Sequence, residues 1–422
     1  MPEHADYLMK VGVDCARQRR FEEAVESYCE ALDIYGEFGN TLGRANALNS
    51  IGMALDGQGR VDEALEKYEE ALEVYREGGS ARGEAGALAN IGVVFARKWK
   101  MDIALDFHRR ALEIYEEIGD ESGIADSLTN IGIVFSRQGA LDDAIVHYSR
   151  AIELYASSGK DGPRANLLNN LGNVYLRQRR LEDAFSSYSD ALDIHKRVGN
   201  LLGQANSLGS ISIVYYERGE LDEALETYRE VLGLYDKAGE PLGRARALGN
   251  IGNIFLHRGS VGEALGTFKE AVSIYETAGE RFGLANTLES IGGIELQMGN
   301  LKEAYESLAR ALEIYEDIDY TIGQAHCLGK LGNAYSAMGK LERALDSYHM
   351  AIEIYDGLGD ELGRAHALVG VGLALAKQGR DEEALERFEE AREIYVANKA
   401  PALDLDFVQK QMSLVGGDVG QA

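Results

Sequence analysis

Asn90, Asn130, Asn170 and Asn250 stand at multiples of one 40-residue interval, and Arg97, Arg137 and Arg177 repeat at the same interval. An Asn amide carries one donor group and one acceptor, so it can pair with both the N–H and the C=O of a single extended residue. Such pairing ignores the partner's side chains. A guanidinium fork suits the two oxygens of a carboxylate or phosphate. Together the two rows suit an extended, acidic chain segment, its backbone on the Asn row and its acids on the Arg row. The plainer alternative is a solvated surface with no ligand.

Catalytic chemistry finds no comparable support. There is no Walker loop, no nucleophile motif and no zinc-ligand spacing. Acidic pairs such as Asp62–Glu63, Asp142–Asp143 and Asp222–Glu223 fall in the first turn of a helix, where the positive end of the helix dipole favours them. His326 and His366 lie one interval apart, but two imidazoles without a carboxylate or thiolate make a poor metal site. The expectation is a non-enzyme with no cofactor and no metal.

The elements that must carry these residues follow from the same interval. Ala24, Ala64, Ala104 and onward to Ala384 fill one column in ten successive units without insertion or deletion. Ala5 to Ala365 and Leu8 to Leu368 are equally unbroken, and a Gly column from Gly12 to Gly372 fails only at Ser212. In the fifth unit Ala165, Leu168, Leu171, Gly172 and Tyr175 recur at helical spacing. Ala184, Phe185, Tyr188, Ala191, Leu192 and His195 make a second apolar stripe. Between the stripes most units carry a helix-stopping Gly, such as Gly139; Gly199 ends the second helix and Asn200 caps the next. Each unit is therefore two antiparallel helices, and the small columns let neighbouring helices approach. The Tyr column (Tyr35, Tyr75, Tyr115, Tyr155, Tyr235) reads as core. Units that contact mainly their neighbours form a solenoid.

The pattern Leu168, Leu171, Gly172, Tyr175, Ala184, Tyr188, Ala191 resembles the tetratricopeptide repeat family. The usual unit has 34 residues; the six additional ones lengthen the second helix and its loop. Together with Asn170–Asn173 and Asn250–Asn253, this looks like the LGN/Pins polarity adaptors, and kinesin light chains use similarly long units. The resemblance implies an all-α, right-handed superhelical solenoid of ten units over residues 1–398. A capping helix and flexible tail are expected over 399–422, with the cap at 402–414 burying Leu403, Phe407 and Leu414, and the tail from Gly416. The linker Ser157–Pro163, with Pro163 after a displaced Gly162, is the expected hinge.

The resemblance also places six columns per unit on a concave groove: in the fifth unit Asn166, Asn169, Asn170, Asn173, Leu176 and Arg177. These columns hold 13 of the 17 Asn in the chain. Asn is a mediocre helix former, so its concentration there calls for a reason. By this reading the groove site comprises Asn90, Asn130, Asn166, Asn169, Asn170, Asn173, Asn206, Asn250, Asn253, Asn286, Asn333, Arg97, Arg137, Arg177 and Arg246. Matching Asn bind backbone in the LGN/Pins adaptors. Ser50, Ser210, Ser290, Lys330 and Gly370 interrupt the ladder.

Charge narrows the partners. The formal net charge is −27, which disfavours nucleic acid and anionic membrane surfaces, since both need positive charge to displace counterions. No apolar run reaches the roughly 20 residues that span a bilayer, and MPEHADYLMK lacks the features of a secretory signal. Cys15, Cys29 and Cys327, an odd number at irregular spacing, point to a reducing, cytoplasmic setting and to three small buried hydrophobes. The expected partner is a protein or peptide with an extended acidic segment. A ligand-sensing module and self-association through the solenoid ends are the rival readings.

Overall fold

A computed structural model describes residues 2–419. The described residues form 21 helices and no strand. They fall into two compact units, Met1–Arg218 and Gly219–Ala422.

The first unit holds α1 (Pro2–Arg17), α2 (Phe21–Glu37), α3 (Thr41–Gly57), α4 (Val61–Glu77), α5 (Ala81–Arg97), α6 (Met101–Ile118), α7 (Glu121–Gln138), α8 (Leu141–Ser157), α9 (Asp161–Arg177), α10 (Leu181–Arg197) and α11 (Leu201–Glu217). The second holds α12 (Leu221–Ala238), α13 (Pro241–His257), α14 (Val261–Ala278), α15 (Arg281–Met298), α16 (Leu301–Asp317), α17 (Thr321–Ala337), α18 (Leu341–Leu358), α19 (Glu361–Lys377), α20 (Asp381–Ala397) and α21 (Ala402–Val419). Odd-numbered helices up to α19 are the first helices of the repeats, and even-numbered ones the second. Within each unit every helix packs on its chain neighbours, and first helices such as α5 and α7, or α17 and α19, also touch each other.

The small columns are the inner faces of this stack. Every Ala from Ala24 to Ala384 in the second-helix column is fully buried. Gly172 shows why its column is small: a Cβ there would stand 2.5 Å from the Tyr188 ring. The ring of one helix thus packs against the backbone of the other at Gly172.

The turns obey one rule. Gly139 ends α7 in the left-handed conformation at φ 81°, and most turns have a Gly there. Arg19, Trp99, Arg179, Asp319 and Lys399 take the same left-handed conformation without being glycine. Asp319 therefore replaces the missing stop Gly at 318–320. Asn200 caps α11 as expected, accepting from the Gly203 N–H at 2.9 Å. The turn at Ser157–Pro163 keeps the common form, with Gly159 at φ 67° and α9 starting at Asp161.

Three expectations need correction. The last helix runs to Val419, so Gly416 starts no tail within the described residues, and 420–422 lie outside them. Its buried face is Leu405, Val408, Met412 and Val415, packed on the last repeat, while Leu403, Phe407 and Leu414 are exposed. Both sets have helical spacing; contact with α20 selects the first. Finally, Cys15 and Cys327 are buried but Cys29 is exposed.

Candidate binding face of the first helices

The predicted columns all fall on first helices, on the side left open by the buried Ala and Leu columns. Asn166, Asn173, Asn206, Asn250, Asn253, Asn286, Asn333, Arg97, Arg137, Arg177 and Arg246 are exposed, whereas Asn90, Asn130, Asn169 and Asn170 are half-buried.

The Arg row is already engaged. Arg97 Nη1 donates to the Asp56 carboxylate at 2.5 Å. Arg137 Nη1 donates to the Ala96 carbonyl at 3.2 Å, and Arg177 Nη1 to the Ser136 carbonyl at 2.6 Å. Lys377 makes the same reach, donating to Ser336 Oγ at 2.9 Å. Each acceptor residue lies in the last turn of the preceding first helix, where carbonyls lack intrahelical partners and the dipole favours a cation. These four side chains therefore tie the third, fourth, fifth and tenth repeats to the repeat before. Each guanidinium keeps further N–H groups exposed to solvent.

The Asn columns divide into spent and unspent amides. Asn90 Nδ2 donates to Asn49 Oδ1 at 3.0 Å, one repeat upstream. Asn169 accepts from Ser207 Oγ at 3.0 Å. Asn173 and Asn333 each accept a tyrosine hydroxyl, from Tyr188 and Tyr348, at 2.7 Å. Asn250 Nδ2 donates to the Tyr228 hydroxyl at 2.9 Å. Asn130, Asn166 and Asn170 in the first unit, and Asn253 and Asn286 in the second, hold no side-chain hydrogen bond among the described residues.

Sequence reasoning missed the tyrosine hydroxyls. The Tyr column is core as predicted, but its phenols end on the first-helix face. Tyr35 donates to Asp6 at 2.5 Å, Tyr75 to Asn46 at 2.7 Å, Tyr155 to Asp126 at 2.6 Å and Tyr315 to Glu289 at 3.1 Å. Burial, then the bond to Asp6, pushes the Tyr35 phenol up to about 12. Burial pushes Tyr75 to about 12 as well. The signal was available for three of them: Tyr35, Tyr75 and Tyr155 each stand 29 residues after an Asp or Asn.

Two hollows interrupt the face. In the first unit, Val13, Ala16, Phe21, Tyr28, Met53 and Ala54 surround an apolar hollow of about 360 Å³ with Arg17 on its wall. In the second unit a hollow of about 530 Å³ lies among α15, α17, α18 and α19. Glu289, Lys330, His326 and His366 line it. No group of three or more metal-ligating side chains occurs among the described residues. No helix among them is long and apolar enough to cross a membrane.

Comparison with known proteins returns consistent matches. A tetratricopeptide repeat model matches residues 3–77, 84–157, 163–237, 243–317, 283–357 and 324–396. A second one matches 49–118 and 129–196. Similar solved structures include a signal-transduction ATPase with a tetratricopeptide repeat sensor from Pyrococcus horikoshii, at 17% identity and TM-score 0.60, covering 90% of this chain and 55% of that one. The apo quorum sensor NprR from B. thuringiensis is similar at 17% identity and TM-score 0.58, covering 74% of this chain and 87% of that one. A Rap protein complexed with Competence and Sporulation Factor is similar at 13% identity and TM-score 0.51, covering 85% and 99%. These likenesses establish a shared fold. The curated proteins give no match.

Proposed function

The chain belongs to the tetratricopeptide repeat family, and from that premise we propose that it is a non-catalytic interaction module whose first-helix face holds an extended segment of a partner protein. The observation that carries this reading is the set of unspent amides. Asn130 and Asn170 stand one repeat apart on α7 and α9, half-buried and with both donor and acceptor free, and Asn166 lies one turn from Asn170. Asn in a helix interior is disfavoured relative to most residues, and here it gains no bond within the protein. Backbone of an extended ligand supplies the missing partners.

The acidic preference of that ligand has weaker support on the Arg row, because Arg137 and Arg177 spend one N–H on the preceding helix. Their remaining N–H groups still give this part of the face a positive edge. A typical peptide groove of this kind binds at micromolar strength, roughly −8 kcal/mol.

The sensor reading retains one favourable observation, the hollow of about 530 Å³ in the second unit, which falls in the size range of small-molecule sites.

The test uses an Asn130→Ala, Asn166→Ala, Asn170→Ala variant. None of the three amides is bonded, so helicity by circular dichroism should be unchanged. Immobilised protein is challenged with a library of unstructured peptides. The wild type should retain a set of peptides that the variant releases; equal retention by both would sink the groove reading.

A further inference from the structure

Three successive turns of the second unit carry exposed apolar side chains away from the groove columns. They join α14 to α15, α16 to α17 and α18 to α19. Phe282, Tyr320, Leu358 and Leu362 stand on them with 36–49% of their surface exposed. Single exposed apolar residues are ordinary, whereas a set of large ones on neighbouring elements marks an interaction surface. Phe282 and Tyr320 touch across the repeat boundary, their ring centroids 5.0 Å apart and their planes at 85°. The buried Tyr315 ring lies 5.3 Å from that of Tyr320 and supports the exposed pair.

The middle turn departs from two local rules to present its ring. Asp319 takes the left-handed conformation at φ 53°, where Gly279 and Gly359 stand in the turns on either side. Tyr320 occupies the N-cap column, and α17 has no side-chain cap. Asn200, Glu280 and Asp360 fill that column elsewhere, and each accepts from a backbone N–H. Local rules given up together at one turn are the mark of a functional demand on it.

Charge selects the occupant. Residues 276–282, 316–322 and 356–362 hold eight acidic residues and one basic one, Arg281. Arg310 and Arg364 reach Glu276 and Asp356 at 2.6 and 3.1 Å, which still leaves an excess of five carboxylates. Arg281 is itself paired with Asp317. Glu316 and Asp319 hold no hydrogen bond or ion pair among the described residues. Carboxylates around an apolar strip complement a basic partner and repel nucleic acid and anionic lipid. The ring faces add to this, since they attract cations.

We propose that this edge docks a basic amphipathic helix of a partner protein. Its apolar stripe lies on Phe282, Tyr320, Leu358 and Leu362. Its Lys and Arg side chains lie over the rings and against Glu316 and Asp319. An apolar strip with a charged rim is the surface on which such a helix lays one face. The site is separate from the first-helix face and does not rest on the groove reading.

The test separates this edge from general attraction to an acidic chain. The probe is a labelled amphipathic peptide of Leu and Lys. One twin carries Glu for every Lys, and a second has the same Leu and Lys in an order without an apolar stripe. Binding is read by fluorescence anisotropy. Phe282→Ser with Tyr320→Asn removes both exposed rings and leaves the charge unchanged. The same columns hold Ser122 and Asn200 in other repeats, so both residues suit the fold. Leu358→Ala with Leu362→Ser is a second variant on a different turn, and Glu316→Gln with Asp319→Gly removes the two free carboxylates. Circular dichroism checks the helicity of each, and only variants with wild-type helicity are scored. The Asn130→Ala, Asn166→Ala, Asn170→Ala variant serves as the groove control.

The wild type should bind the Leu/Lys peptide at least 10-fold more tightly than either twin. Each edge variant should lose most of that preference, and the groove control should keep it. Equal binding of the striped and unstriped Lys peptides would overturn the proposal, because charge alone would then explain it. Preference unchanged in the folded edge variants would also overturn it. Loss in the groove control, with the edge variants unaffected, would move the peptide to the first-helix face and overturn it as well.

Discussion

Arg177 Nη1 donates to the carbonyl oxygen of Ser136, 2.6 Å away and one repeat upstream. The bond joins the last turns of α9 and α7. Lys377 serves the same purpose toward Ser336, so charge at this place matters more than the fork. Arg177→Lys should keep the stability of the wild type, whereas Arg177→Ala should lose about 0.5–1.5 kcal/mol, the range for one hydrogen bond. Urea midpoints of the two variants decide this. Equal midpoints would mean that the bond contributes nothing.

His108 occupies the ring column that holds Tyr28, Tyr68 and Tyr148 in neighbouring repeats. It is 1% exposed, and its Nδ1 has no hydrogen-bond partner among the described residues. Burial pushes its imidazole down from 6.5 to about 4. The unfolded chain therefore binds the proton more readily between those values. This contribution is fully present above pH 6.5 and is lost as pH falls through 4, at a cost of about 2–3 kcal/mol. His108→Tyr should remove that part of the acid sensitivity, which denaturant midpoints at pH 7 and pH 4.5 would reveal.

The opposite end of the pH scale belongs to the tyrosines. Burial is the leading cause that pushes Tyr35, Tyr75, Tyr148, Tyr355 and Tyr395 up to about 12. Each favours the neutral phenol in the folded state, so its contribution holds below pH 10 and disappears as pH rises through 12. Helicity should stay flat to about pH 10 and then fall in step with phenolate absorbance. Phenolate forming well before helicity is lost would contradict this account.

Trp99 sits in a left-handed turn at φ 58° and is 75% exposed. A bulky residue there carries strain of roughly 1–2 kcal/mol. Trp99→Gly relieves it and gives some back through a more flexible unfolded chain. The net gain should be about 0.5–1 kcal/mol, seen as a higher melting temperature. A lower one would show that the indole makes a stabilising contact.

Gly172→Ala tests the close approach. Its new methyl would stand 2.5 Å from the Tyr188 ring, and overpacking of this kind costs roughly 1–3 kcal/mol. Thermal unfolding of the variant measures it, and Gly329→Ala, whose methyl meets open space, is the control that should show no loss.

Much of this was legible in the residues alone. The Ala columns, the stop Gly positions and the cap at Asn200 follow from local rules of backbone and packing, and these rules act within one repeat. What lay beyond sequence was phase and distance. Leu403, Phe407 and Leu414 have the same helical spacing as Leu405, Val408, Met412 and Val415, and only contact with α20 chose between them. Arg137 and Arg177 looked free because their acceptors are main-chain oxygens, which leave no mark in the sequence. The tyrosine hydroxyls reached the first-helix face because a residue can be core along its ring and polar at its tip.

The backward reach of Arg137 and Arg177 gives this architecture a grammar for growth. Their acceptors, the carbonyls of Ala96 and Ser136, are oxygens that any upstream repeat supplies, whatever its side chains. A repeat duplicated or deleted whole within such a stack would find its donor matched at once. Only a register break inside a repeat would leave the donor unmatched. Tying by main chain lets array length vary while the side chains of the open face are free to diverge.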